Sequence, residues 1–473
     1  MKLVKGVTLL SAAITLAACG SSSSNDEDGG VSYPSTYEFS SKFQEGQSSV
    51  KFTGQAARQL LIDEMKNATG NSEVTKDELT SIYSGGSEVL KGENIYGANT
   101  GFGTPVKDAT SDDYTAIQID YTKVYEGAGS KKLSDKIAGC DNELSASQFI
   151  GWEVTTLVDC GTGEGKNDDT VLNHHDAPHS LILEWIDAAA ANAVDADLGL
   201  NYQQLFQKFL LGSLAFSQTA EDYLDTDNLA EKDNSQAYTS KGVTYAYTAL
   251  EHSWDEGFGY LGASTDYLSI ADATIDEKIN HSDVNGDGEI DLLKGEYNLG
   301  LAQYASKHDV LTGTTDLSSE IMIAFLEGRQ LIQDNHGTNP ADDSTFNTEL
   351  AAISNRAVQG MEKIFAISVI KYINQTIDDL DAYAVGSEAN DVISLAKHWS
   401  ELKGFALGLQ FSPISTFSEA ELVQLHGLIG QSPIKQLENV HGDKALYIEA
   451  LEAARTLVQE KFGFDVEAVK TWG

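Results

Sequence analysis

Apolar residues recur every three or four positions along much of this chain. Tyr202, Leu205, Phe206, Phe209, Leu210 and Leu214 form one such stripe. Met361, Ile364, Phe365, Val369, Tyr372 and Ile373 form a second, and Leu446, Ile448, Leu451, Ala454, Leu457 and Val458 a third. This spacing predicts amphipathic helices, each with one face turned to a core. Thr416 and Ser418 stand before the run Glu419 to Leu428 and Gly430 stands after it, as helix ends require. Alternating apolar and polar runs are few, and Thr155 to Val158 is too short to predict a strand. The expected fold is all-α: long amphipathic helices packed as one or two bundles.

Two stretches break the pattern. Gly85 to Asp169 is rich in Gly, Ser, Thr and Asp and includes Thr100-Gly101-Phe102-Gly103-Thr104-Pro105, which predicts a loop-rich insert. The polar stretch Thr226 to Ser240 is a candidate divider between an N-terminal helical unit over 33–235 and a C-terminal one over 236–473.

The start of the chain reads differently again. Lys2 and Lys5 precede the short apolar stretch Val7 to Leu16, and Leu16-Ala17-Ala18-Cys19 then places small residues before a cysteine. About 20 apolar residues are needed to cross a bilayer, so 1–18 reads as a secretory signal with a lipobox and Cys19 as the lipid acceptor. An ordinary cleaved signal beside a chance cysteine is the alternative. Residues 19–32 are then a lipidated, flexible tether. Gly20, rather than Asp, after the cysteine favours the outer membrane, at its periplasmic face or the cell surface.

Composition adds a charge of -41 over 473 residues, from 72 acidic and 31 basic side chains. Such a surface repels phosphate backbones and argues against nucleic-acid partners. It suits solubility in salt and attracts cations. In an exported chain, Cys140 and Cys160 are candidates for one disulfide, a buried reduced pair being the alternative.

The sharpest local signal is Asp283-Val284-Asn285-Gly286-Asp287-Gly288-Glu289-Ile290-Asp291. Oxygen-bearing side chains fall at positions one, three, five and nine of a calcium loop: Asp283, Asn285, Asp287 and Asp291. Gly288 falls at the turn, Glu289 would offer its carbonyl, and Ile290 takes the core-anchor position. Lys294 stands where the twelfth-position Glu is expected, and Glu296 comes two residues late. The expectation is a structural Ca2+ site, with an acidic turn between helices as the alternative.

Histidines supply weaker signals. His398 and Glu401 are three apart, and His252 and Glu256 four apart beside Trp254. Each pair shares a helical face and is a candidate for a second, transition-metal site. His174, His175 and His179 cluster with Asp176. No zinc-protease His-Glu-x-x-His, Gly-x-Ser-x-Gly or phosphate-binding glycine loop occurs.

Gly54-Gln55-Ala56-Ala57-Arg58, Trp254-Asp255-Glu256-Gly257-Phe258-Gly259-Tyr260, Gly360-Met361-Glu362-Lys363 and His398-Trp399-Ser400-Glu401 occur in that order. Together they resemble a family of bacterial lipoproteins catalogued as domain of unknown function 4856, from about Tyr33 to Gly473. A more distant similarity is to imelysin-like proteins, which are helical, exported and linked with iron or haem uptake. Their Gly-x-His-x-x-Glu motif is matched at His398 and Glu401, with Ala396 in place of the glycine. The resemblance implies imelysin-like helical bundles and a surface or periplasmic binding lipoprotein in the acquisition of iron or another metal. The alternatives are a structural or interaction lipoprotein partnering an outer-membrane transporter, and a metallopeptidase.

Overall fold

The computed structural model describes residues 32–86, 131–142, 144–160, 172–278, 280–288, 290–383 and 392–473, together with the backbone of short strands at 106–107 and 114–115. The signal segment, Cys19, the tether to residue 31, the Thr100–Pro105 motif and Glu289 lie outside the described residues.

The fold is all-α. Its longest element, α10 (Ser344–Ala382), runs 39 residues, about 58 Å at the usual 1.5 Å rise. Asp343 starts it by accepting from the backbone N–H groups of Thr345 and Phe346. The expected stripe from Met361 to Ile373 faces inward, with Met361, Ile364, Phe365, Val369 and Ile373 sealed from solvent. Against α10 pack α9 (Leu317–Asp334), α11 (Val392–Gly408) and α14 (Lys444–Phe462).

The stripe beginning at Tyr202 becomes α4 (Tyr202–Leu210), which continues as two wider π-helical turns, Leu211–Phe216 and Gln218–Tyr223. Its apolar stripe turns to the core, and polar side chains such as Gln204, Gln207 and Lys208 are buried by bonding one another, so nearly the whole rod lies inside. It meets α11 closely: a Cβ on Gly212 would sit 2.6 Å from the Cα of Gly408. Glycine at 212 lets the two backbones approach, while glycine at 408 leaves room for the Phe365 ring of α10.

Ser418 caps α12 (Glu419–Ile429) through reciprocal bonds with Glu421, as the sequence pattern predicts. Thr416 serves elsewhere, its amide and hydroxyl both donating to Glu362. β-Structure among the described residues is three two-stranded antiparallel hairpins: Val106–Lys107 with Tyr114–Thr115, Val194–Asp195 with Leu200–Asn201, and Thr239–Ser240 with Val243–Thr244.

Helices from both sides of position 235 share one core, which runs from Tyr37 to Trp472. Here α1 (Thr53–Thr69) packs on both α4 and α6 (Ala249–Leu261), and α4 packs on α11. Cys140 and Cys160 are joined in a disulfide with Cα atoms 5.6 Å apart. The residues between them lie on the helical body: Gln410 exchanges two hydrogen bonds with the backbone of Ile150, and Glu419 accepts from the amide and hydroxyl of Ser147. No helix among the described residues is long and apolar enough to cross a membrane.

Candidate functional site

The 283–296 loop is organised around two carboxylates. Asp283 accepts from the backbone N–H groups of Gly286, Asp287 and Gly288 at 2.8 to 3.1 Å. Gly286 and Gly288 hold left-handed backbone, φ +71° and +84°, which turns the chain tightly enough for those amides to converge. Glu296 closes the loop from the far side. One of its oxygens accepts from Asn285 N and the other, at 2.7 Å, from Asp291 N. Burial raises its pKa, and those two bonds oppose the rise. The residue two places late in sequence therefore spans the loop in space, aided by the bridge between His281 and Tyr297. Asp291 is paired with Lys294 at 2.6 Å. Ile290 is buried, as the anchor position predicts, while Asn285 and Asp287 are exposed. A cleft of about 350 Å³ opens beside the loop, bordered by Asn285, Lys294 and Glu296 on one side and by Tyr37, Glu38 and Lys51 of the N-terminal segment on the other.

The Trp254–Tyr260 segment lies on α6 and is tied into a buried ion network. Arg329 reaches Asp255 at 2.9 Å and Glu251 at 3.0 Å, and donates to the Ser49 hydroxyl at 2.7 Å. Asp255 also accepts from the Tyr37 hydroxyl and from Lys51 N. Its two oxygens thus hold the N-terminal segment against the helices. Trp254 fills the space over Gly328, where any Cβ would overlap its ring. His252 and Glu256 stand 3.8 Å apart on the more open side of α6. The His252 ring packs on Tyr247, and Glu256 accepts from Gln55.

His398 and Glu401 occupy α11 with different partners. The Nδ1 of His398 lies 2.7 Å from an Asp379 oxygen on α10. Glu401 is buried, 3.3 Å from Lys208 Nζ, and accepts from the Tyr372 hydroxyl. The segments around His252 and His398 share none of these partners. The histidine cluster is similarly dispersed. His175 accepts from Leu144 N, His179 bonds the Tyr83 hydroxyl, and the His174 ring lies tilted against that of His175.

Two features escaped the sequence reading. One is a further group of carboxylates, Asp272, Asp309 and Asp316, from separate segments. There Asp309 accepts from Leu317 N and Ser318 N at the start of α9 and is already committed as a helix cap. The other is a set of lysines around Glu401, hinted at only by Lys208, the one charged residue in the largely apolar run Leu205 to Phe216.

A family model described as a domain of unknown function (DUF4856) matches residues 34–427. No curated protein matches the chain, and no solved structure matches it.

Proposed function

We propose, from the premise that the chain belongs to the family described as a domain of unknown function (DUF4856), that it is a lipid-tethered binding protein of the outer membrane serving metal acquisition, with a calcium ion bracing the 283–296 loop. The observation that carries the calcium part is the fold of the loop: Asp283 gathers three backbone N–H groups and the two oxygens of Glu296 reach back to Asn285 N and Asp291 N, while the side chains of Asn285, Asp287 and Asp291 would turn inward to complete the ion's shell. Calcium takes six to eight oxygen ligands, and a Glu reaching over the loop supplies the carboxylate that Lys294 cannot. Lys294 must then release Asp291, an exchange easily made because its side chain is exposed. The tether is supported by the lipobox ending at Cys19.

The metal-acquisition role draws on His398. Asp379 at Nδ1 orients the ring in the way carboxylates orient metal-binding histidines, with Nε2 as the ligand atom. Glu401, the second ligand that the imelysin resemblance implies, would have to leave Lys208 to join it.

Elemental analysis of the mature chain, purified without chelator, tests both parts. About one calcium per chain, lost in Asp283→Asn and Glu296→Gln, is the expected result for the loop. Iron binding lost in His398→Ala supports acquisition, and iron binding unchanged in that variant removes His398 as its site. An interaction role beside a transporter is the second reading. It is favoured by the hairpin at 239–244, where exposed Val243 stands beside the stacked rings of Tyr238 and Tyr245.

A further inference from the structure

Four lysines meet where α1, α4, α10 and α8 (Gly300–Thr312) converge: Lys66, Lys208, Lys371 and Lys307, one from each helix. Ring contacts fix three of them, and Lys66 lies close enough to act on Lys208 and Lys307. Lys208 and Lys307 each lie 5.7 Å from the centre of the Tyr304 ring, and Lys371 lies 5.4 Å from that of Tyr372. The Tyr372 hydroxyl donates to Glu401, which is also the partner of Lys208.

Only Lys208 is well partnered, by Glu401, Gln204 and Gln207. Lys66, Lys307 and Lys371 are half-buried, and none of their ammonium groups has a carboxylate within 4.0 Å or a side-chain hydrogen bond among the described residues. The acids near enough to act on the cluster are Asp63, Asp276 and Glu401. Asp63 is already held by Gln207 at 3.0 Å. Lys397 on α11 adds an exposed fifth cation at the rim.

This is an odd place for unpaired cations. The chain has 72 acidic side chains against 31 basic ones, so a structural lysine has carboxylates in plenty to pair with. Burying like charges together disfavours each of them. Burial, with Lys208, Lys66 and Lys371 close by, pushes Lys307 down to about 8. Such crowding is relieved by a negative group placed among the ammonium ions.

We propose that Lys66, Lys208, Lys307 and Lys371 form a binding site for a small polyvalent anion, a solute carrying phosphate or carboxylate groups. The rings of Tyr304 and Tyr372 lie beside the ammonium groups, and exposed Lys397 adds a charge that draws the anion in against the acidic surface. The site deepens the binding-protein reading by naming a ligand class. It is independent of the calcium loop, so either can fail while the other stands.

The test uses the mature chain with calcium removed, titrated calorimetrically at fixed ionic strength with inorganic phosphate and with succinate, chloride being the reference. Saturable binding of about one anion per chain is expected, weakened at least tenfold in Lys307→Met and in Lys371→Met. Lys76→Met, at an exposed pair with Asp187, should bind as the parent does. Binding at pH 8 should take up protons as Lys307 recovers its charge, read as a heat that varies with the buffer's ionisation enthalpy. Without ligand, Lys307→Met should melt no lower than the parent, because it removes a repelled charge. Binding of phosphate alone assigns a phosphate ligand and binding of succinate alone a carboxylate. Both anions behaving as chloride does, or both lysine variants folding and binding as the parent does, would overturn the site.

Discussion

Arg329 is fully buried, with Asp255 and Glu251 as counter-charges and the Phe39 ring 4.8 Å away. Removing one member of such a group leaves the others charged and unpaired. Arg329→Met should therefore lower stability by about 3–5 kcal/mol, read from urea unfolding. A loss within experimental error would mean the network adds nothing. Lys403 behaves differently, because its partners are neutral: Gly430 O at 2.7 Å and His426 Nδ1 at 3.2 Å. Burial pushes its ammonium from the ordinary 10.5 down to about 7. Between those values the unfolded chain binds the extra proton, so stability rises with pH through this window and is lost as pH falls through 7. Lys403→Met should flatten the rise by up to about 1.4 kcal/mol per pH unit. Unfolding curves at pH 7.5, 8.5 and 9.5 check it, and an unchanged slope would place the proton elsewhere. Neither environment was legible beforehand. The Trp254–Tyr260 segment stood out as one of the ordered family motifs, but the partner that explains Asp255 lies 74 positions away.

Among the elements, the helices themselves were legible because a core-facing stripe repeats with the helical period. The stripes at 202–214 and 361–373 became deeply buried rods of the fold. The contact between α4 and α11 was not legible, since glycine pairing leaves no periodic trace. Gly212→Ala should force those rods apart, because its Cβ would sit 2.6 Å from the Cα of Gly408, costing roughly 1–3 kcal/mol in chemical denaturation. A neutral result would show that the two helices can separate without loss. The acidic loop is the other informative element. Its glycines and ligand positions could be read from the sequence, but the return of Glu296 depends on the chain doubling back between His281 and Tyr297. If calcium binds the folded loop alone, a free concentration of a hundred times Kd should stabilise the protein by about 2.7 kcal/mol. Thermal melts with calcium and with chelator measure it. Glu296→Gln should abolish most of the difference.

For the molecule as a whole, the disulfide closes a loop in the segment before α3 (Ala177–Ala191), and hydrogen bonds from Ser147 and Ile150 fix that loop on a body built chiefly from later helices. Closing a loop of this length stabilises the fold by about 3 kcal/mol on chain-entropy grounds. A Cys140→Ser, Cys160→Ser protein should lose about that much in urea, with its helical circular dichroism retained below the transition. Loss of helix content instead would make the bridge a condition of folding. The polar stretch near 226–240 does not divide the core. Asn234 donates to Ile332 O and Asn335 O and accepts from Thr248, so this stretch is sewn to the end of α9 and the start of α6.

The sequence by itself determined the all-α class, the position of the main helices and their caps, and the family, because these depend on short-range order: periodicity, capping chemistry and motifs in a line. Tertiary structure alone decided which charges meet. It joined Arg329 to Asp255, took Glu401 to Lys208, and gathered four lysines from four helices. Coulomb and desolvation energies depend on distance in space and on burial, and neither is encoded in the local spacing of residues.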